Sequence, residues 1–342
     1  MTTSQNPIPA PNPHPITVLG AGAWGTALAI LCARNGQPVT LWSWEADHAQ
    51  AMREERTNRR FLPDYPFPPR LRVAADLADA LSGARDILFA VPSHAFRGVL
   101  ETLSPMLAVD ARIAWATKGF EPGTGRLLHR VVADIAGPNV PVAVLSGPTF
   151  ATEVAEGLPT ALTIASTDPR FASDLAACLH NRRFRVYTSQ DMIGVQVGGA
   201  VKNVLAIAAG AADGLGFGAN TRAALVTRGL TELMRLGVAL GGNHETFMGL
   251  AGLGDLVLTC TDNQSRNRRL GLALARGESL EEARRGVGDV IEGVDSARAV
   301  VELAHRHGVE MPIAEQVHRV LSGHASPREA VNALLGRSAK SE

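Results

Sequence analysis

Hydrophobic and polar positions change their rhythm once along this chain. Between residue 16 and about residue 189, short apolar runs alternate with amphipathic stretches. The runs "ITVLG" (16–20), "PVTLW" (38–42), "DILFAVP" (86–92), "ARIAWAT" (111–117) and "VPVAVLSG" (140–147) are rich in β-branched residues and bounded by turn formers. They read as buried strands. "TALTIAS" (160–166) and "FRVYT" (184–188) extend the set, and 24–35, 94–108 and 124–136 carry helical periodicity between the strands. This alternation predicts an α/β architecture with a doubly wound parallel sheet. After about Ser189 the strands stop, and 191–212, 220–240, 264–276, 279–285, 294–307 and 312–322 all favour helix. The expected organisation is a sheet domain over 16–189 and an all-α domain over 190–336.

One helix breaks its own pattern. Between Met192 and Ala212 the only charged side chain is Lys202, set in "GGAVKNVLAIAAG". On a helical wheel its face also carries Val195, Gly198, Gly199, Leu205, Ala206 and Ala209, none of them an acid. An ammonium stranded in apolar surroundings must find a partner, line a polar cleft or lose its proton. The alternative is a lysine that snorkels from the edge of a core helix to water. Gly198 and Gly199 each weaken the helix by roughly 1 kcal/mol relative to alanine, as expected where something must approach the backbone closely.

Composition narrows the classes. At 342 residues the chain has room for two cores, with 46% hydrophobic residues and Lys+Arg equal to Asp+Glu at 33 each. Balanced charge gives no reason to expect nucleic acid or a membrane surface as partner. Cys32, Cys178 and Cys260 are far apart and match no zinc or disulfide spacing, which suits a reducing cytoplasm. The first fifteen residues, "MTTSQNPIPAPNPHP", read as a disordered tail without signal-peptide character, and residues 337–342 as a loose end. No window reaches about 18 uninterrupted apolar residues, so membrane insertion is not expected.

"VLGAGAWGTALA" places Gly20, Gly22 and Gly25 in the spacing G-x-G-x-x-G, after a strand and at the start of a helix. That context makes it a Rossmann-type dinucleotide turn. The first glycine serves the turn, the second close approach of a pyrophosphate, and the third packing of helix on strand. At the end of the second strand an acid would favour NAD. Here the sequence is Trp42, Ser43, Trp44, then Glu45, so an aromatic takes the acid's place and NADP is favoured, with NAD also accommodated.

Ligands of an open α/β sheet sit beyond the carboxyl ends of its strands. Lys118 falls there after "ARIAWAT", Pro92 in "VPSHAF" lines the cofactor crevice, and "SGPTFA" (146–151) offers amides and the Thr149 hydroxyl. From the helical part, Asp255 is the one charged residue between Thr246 and Thr261, and Thr259 lies one helical turn later. A buried carboxylate and a buried ammonium can solve each other's problem. Ser265, Arg266 and Asn267 gather at a predicted helix start, a combination suited to a phosphate monoester. The alternative for "SRNRR" is a solvated basic turn. The cysteines and ten histidines form no catalytic metal-ligand set.

Taken together, "GAGAWGTALA", "WATKGFEPGTGRLL", "SGPTFATEVAEGLPTA", "IGVQVGGAVKNVLAIAAG" and "FMGLAGLGDLVLTCTDNQSRNRR" resemble the blocks of the bacterial NAD(P)-dependent glycerol-3-phosphate dehydrogenases, over residues 16–336. The resemblance implies reversible reduction of dihydroxyacetone phosphate to sn-glycerol 3-phosphate for phospholipid synthesis in the cytoplasm. By similarity Lys202 transfers the proton, and Lys118, Gly147, Thr149, Asp255, Ser265, Arg266 and Asn267 contact the substrate. Cofactor contacts would come from Ala23, Trp24, Trp44, Lys118, Ala151, Arg266, Val290 and Glu292. Ala23 stands where the family commonly has serine, leaving that contact to backbone amides. Two rival readings are a β-hydroxyacid dehydrogenase-like reductase and a non-catalytic dinucleotide sensor. The oligomeric state is left open, a homodimer included.

Overall fold

The computed structural model describes residues 14–288 and 290–336. Residues 1–13 and 337–342, which carry most of the expected tails, lie outside the described residues. Among the described residues there are ten strands: β1 (Ile16–Leu19), β2 (Val39–Trp42), β3 (Thr57–Asn58), β4 (Leu62–Pro66), β5 (Leu71–Ala74), β6 (Asp86–Phe89), β7 (Arg112–Trp115), β8 (Val142–Ser146), β9 (Thr160–Ser166) and β10 (Phe184–Ser189). Eight of them form one sheet in the order β10-β9-β8-β7-β6-β1-β2-β5, while β3 and β4 make a separate hairpin. β1, β2, β6 and β7 are buried at every position because helices cover both faces, which is why they read as largely apolar runs; Asp86 and Arg112, which open β6 and β7, pair with each other.

The sheet differs from the sequence expectation in two ways. β8 pairs with β9 antiparallel, and β10 then follows β9 in parallel, so the last two strands run against the other six. A strand's direction depends on how its connection crosses the sheet and leaves no mark on its own apolar pattern. The edge strand β5 was not anticipated. It has four residues, and Arg72 in its middle faces solvent.

Strand order reverses between β1 and β6, both hydrogen-bonded neighbours in register, with Ile16 opposite Asp86. In such sheets the ligand crevice lies beyond the carboxyl ends of the two strands at this reversal. The second half of the fold packs around the helix Met192–Gly214. By length and hydropathy it could cross a membrane, but 94% of its apolar window is buried inside the fold as the centre of the helical core. Asp191 caps it by accepting from Gly194 N. Around it lie helices Ala219–Ala239, Arg266–Ala275, Glu292–Arg306 and Pro312–Leu321. A π-helical turn, Leu250–Gly254, leads directly into the helix Asp255–Thr261. Helices Ala46–Glu55, Leu77–Leu81, Pro169–Leu179 and Pro327–Leu335 are additions to the sequence expectation.

Candidate active site

The glycine turn is built as its spacing requires. Gly20 closes β1 with a positive φ of 113°, and a Cβ there would lie 2.9 Å from the carbonyl carbon of Ala90, just past β6. At Gly25 a Cβ would fall 2.0 Å from the Gly20 oxygen, so helix Ala23–Arg34 can start directly on the turn only with glycine there. A Cβ on Gly22 would meet nothing within 4 Å, and no side chain caps the helix. Its first amides, including those of Ala23 and Trp24, therefore face an open cradle that fits the pyrophosphate of a dinucleotide. The buried Trp24 Nε1 has no hydrogen-bond partner among the described residues. Trp44, past the end of β2, is 77% exposed.

Across the crevice, Pro92 precedes helix Ser93–Leu103. Its first turn is capped from the helical half of the molecule: Glu292 accepts from Ser93 N at 3.3 Å and from Ser93 Oγ at 2.8 Å. Burial pushes the Glu292 carboxyl above its ordinary value, against the lowering effect of those two bonds. Val290, half-buried, lies just before helix Glu292–Arg306. Ala151 begins the helix Ala151–Glu156 after β8.

Past β7 and β8 lies a charged centre shared by both halves. Lys118 Nζ donates to Asp255 Oδ2 at 2.6 Å and to the Gly147 carbonyl at 3.0 Å. Lys202 Nζ donates to Asp255 Oδ1 at 2.5 Å and to Thr259 Oγ1 at 2.8 Å. The Thr259 hydroxyl in turn donates a hydrogen bond to the Asp255 carbonyl, 2.6 Å away, one turn back on the same helix. Asp255 is 1% exposed and Lys202 7%. The lysine thus does not snorkel to water; its partner comes from another helix. Gly198 and Gly199 make room for this. A Cβ on Gly198 would lie 2.4 Å from the Ala251 carbonyl oxygen in the π turn, and one on Gly199 would lie 2.7 Å from Ser146 Oγ.

Two ammonium groups share one carboxylate, so the centre carries a net positive charge in a poorly solvated place. Burial pulls the Lys202 ammonium down to about 8, and neighbouring Lys118 adds to the shift while Asp255 opposes it. Burial alone would raise Asp255, but Lys118 and Lys202 together hold it below the ordinary carboxylate range. Such a centre can donate a proton near neutral pH and stabilise negative charge growing on an oxygen. Among the described residues no group of three His, Cys, Asp or Glu side chains could hold a metal ion.

The expected phosphate cup is only partly as the sequence suggested. Ser265 is the N-cap of helix Arg266–Ala275, its Oγ accepting from Arg268 N. Arg266 follows, its surface exposed; crowding by the protein lowers its guanidinium from the ordinary value, and Glu292 attracts it in the opposite sense. The Asn267 side chain turns inward. Its Nδ2 donates to Asn203 Oδ1 at 3.0 Å and its Oδ1 accepts from Gly293 N at 2.9 Å. Second in its helix, Asn267 points to the Met192–Gly214 core, so only its backbone amide faces the helix end. Thr149 Oγ1 likewise bonds the Gly147 carbonyl, at 3.1 Å. A Cβ on Gly147 would sit 2.8 Å from Leu162 Cα, which fixes glycine there.

Three residues were missed by the sequence reading. Ser146 Oγ reaches Asp255 Oδ2 at 3.5 Å, Asn203 holds Asn267, and Ser93 holds Glu292. Asn203 could have been found as the polar neighbour of Lys202 in an apolar helix; Ser93 follows Pro92 without any distinguishing pattern.

Comparison with known proteins shows the family. Residues 15–172 match the family model for the NAD-dependent glycerol-3-phosphate dehydrogenase N-terminus, and residues 191–332 that for its C-terminus. A glycerol-3-phosphate dehydrogenase (NAD(P)+) of Yersinia pestis (strain Pestoides F) is 57% identical over 332 residues, 97% of this chain and 98% of that protein. The crystal structure of glycerol-3-phosphate dehydrogenase from Coxiella burnetii superposes with a TM-score of 0.92 at 54% identity, covering 95% of this chain and 99% of that one. A ketopantoate reductase from Ralstonia eutropha shares the fold alone, with a TM-score of 0.57 at 18% identity over 93% of this chain and 99% of that one. The chain belongs to the NAD-dependent glycerol-3-phosphate dehydrogenase family.

Proposed function

We infer that the chain is a glycerol-3-phosphate dehydrogenase that reversibly reduces dihydroxyacetone phosphate to sn-glycerol 3-phosphate with a nicotinamide cofactor. NADPH is the favoured donor in this reading, because Trp44 takes the place of the acid that holds the ribose hydroxyls in NAD enzymes, and the next residue, Glu45, is engaged by Arg60. The reading places the enzyme in the cytoplasm, in keeping with three unpaired cysteines, and its product in glycerophospholipid synthesis. The observation that carries it is the Asp255 carboxylate, held at one oxygen by Lys118 and at the other by Lys202.

When bound, the nicotinamide supplies a hydride to the ketone carbon. The chain's own residues handle the charge that results. Lys202 delivers the proton taken up by the ketone oxygen, and as the neutral amine accepts it back in the reverse direction. Asp255 and Thr259 fix the orientation of that amine and leave it little freedom to turn away. Lys118, anchored to the Gly147 carbonyl, adds positive charge where the oxyanion develops. The free amides at the start of Arg266–Ala275, with the Arg266 guanidinium, hold the phosphate.

Initial rates of NADPH and NADH oxidation should be measured with dihydroxyacetone phosphate, unphosphorylated dihydroxyacetone and a small keto acid. The expected result is turnover confined to the phosphate ester. Preference for the keto acid would replace this reading with the hydroxyacid reductase one. Dinucleotide binding without turnover of any of the three would favour the sensor.

A further inference from the structure

The nucleotide end of the crevice contains an ion pair that the chemistry of the ketone does not use. Glu45 follows β2 by three residues and precedes helix Ala46–Glu55. It therefore stands where a dinucleotide's adenosine ribose is read in this kind of sheet. Both of its carboxylate oxygens accept from Arg60 Nη1, at 3.0 and 2.8 Å. Arg60 reaches it from the turn of the β3–β4 hairpin, its guanidinium 4.9 Å from the centre of the Phe61 ring. Both partners stay partly in solvent, Arg60 at 54% and Glu45 at 34% side-chain exposure. Such a pair is held weakly and can be exchanged for a better anion.

The hairpin that carries Arg60 is locked to the phosphate cradle. Asn58 is fully buried, and its Nδ2 donates to the Ala21 carbonyl at 2.8 Å and to Thr26 Oγ1 at 2.8 Å. Its Oδ1 accepts from Phe61 N at 3.2 Å and lies 3.0 Å from His48 Nε2. The other nitrogen of that ring lies 3.4 Å from Ser43 Oγ, next to Trp44. Glycine turn, β2 end and hairpin therefore form one hydrogen-bonded unit. Arg60 is the flexible cation mounted on it, two residues after the buried anchor.

We propose that Arg60 is the specificity determinant for the cofactor's ribose, exchanging Glu45 for a 2′-phosphate when NADP binds, while Glu45 accepts from the ribose hydroxyls when NAD binds. A phosphate dianion is a stronger partner for a guanidinium than one exposed carboxylate. Glu45 then weakens NADP binding both by competing for Arg60 and by repelling the phosphate, which makes the pair a balance between the two cofactors. This rests on the dehydrogenase reading above.

The test is equilibrium titration of NADP+ and NAD+ into the full-length protein, by calorimetry or quenching of tryptophan fluorescence, for wild type, Arg60→Met and Glu45→Gln. Arg60→Met is expected to weaken NADP+ by about tenfold or more and to leave NAD+ within about twofold. Glu45→Gln should do the opposite, tightening NADP+ a few-fold and weakening NAD+. Raising salt should weaken NADP+ more than NAD+ in wild type, and this difference should shrink in Arg60→Met. Equal losses for both dinucleotides in Arg60→Met, or no change in either, would overturn the proposal and leave the dehydrogenase reading standing. Wild-type protein that binds neither dinucleotide would overturn both.

Discussion

Lys202 answers to two opposing demands. Burial among apolar residues works against its charge, and Asp255 works for it. Because the balance falls at about 8, the side chain can change protonation close to neutral pH. The direction of the pH dependence follows. Ketone reduction consumes the ammonium form, so kcat/KM for dihydroxyacetone phosphate should fall as pH rises through about 8. Alcohol oxidation needs the neutral amine, so kcat/KM for sn-glycerol 3-phosphate should rise through the same pH. Rate profiles in both directions check this; two flat profiles would mean that the proton comes from elsewhere. Lys202 and Asp255 were legible in the sequence because each is a lone charge in a long apolar run, which forces a partner. The inward turn of the Asn267 side chain was not legible, because residue type and helix position say nothing of which face meets the core. Its inward partners, Asn203 and Gly293, lie on two other helices.

At the scale of elements, the site depends on how closely helix Met192–Gly214 can approach its neighbours. Gly198 lets the carbonyl of Ala251 touch the helix backbone, and the π turn holding Ala251 runs straight into Asp255. A methyl group at residue 198 has no flexible side chain to push aside, only backbone. Gly198→Ala should therefore cost about 1–3 kcal/mol of stability in urea unfolding despite alanine's better helix propensity. Because the displaced turn carries Asp255, kcat should drop as well. Unchanged unfolding and kcat would show that the π turn is not constrained there. Strands buried on both faces and long helices were readable from apolar periodicity. The edge strand β5 was not, since Arg72 interrupts a four-residue element. Helix Ala46–Glu55 was missed because only Ala49 and Met52 among its residues are buried. The reversal at β9 belongs to the chain's path between elements, which local pattern does not encode.

Over the whole molecule, neither half contains a complete site. The sheet half supplies the glycine cradle, Lys118 and the Gly147 carbonyl; the helical half supplies Lys202, Asp255, Thr259 and the start of Arg266–Ala275. Asp255 and Glu292 each reach across, to Lys118 and Ser93, so charge and hydrogen bonding tie the halves at both ends of the crevice. The glycine spacing and the lone charges revealed both sets of residues in the sequence. That they meet could be read only from the resemblance or the structure. The central claim is that the Lys202 ammonium, held at this junction, delivers the proton. Replacing it leaves Asp255 still paired with Lys118, so Lys202→Met should fold. The decisive measurement is kcat of Lys202→Met with dihydroxyacetone phosphate, alongside its dissociation constant for NADPH. A fall in kcat of about a thousandfold with NADPH binding within about twofold of wild type is expected. A kcat close to wild type in that variant would contradict the account.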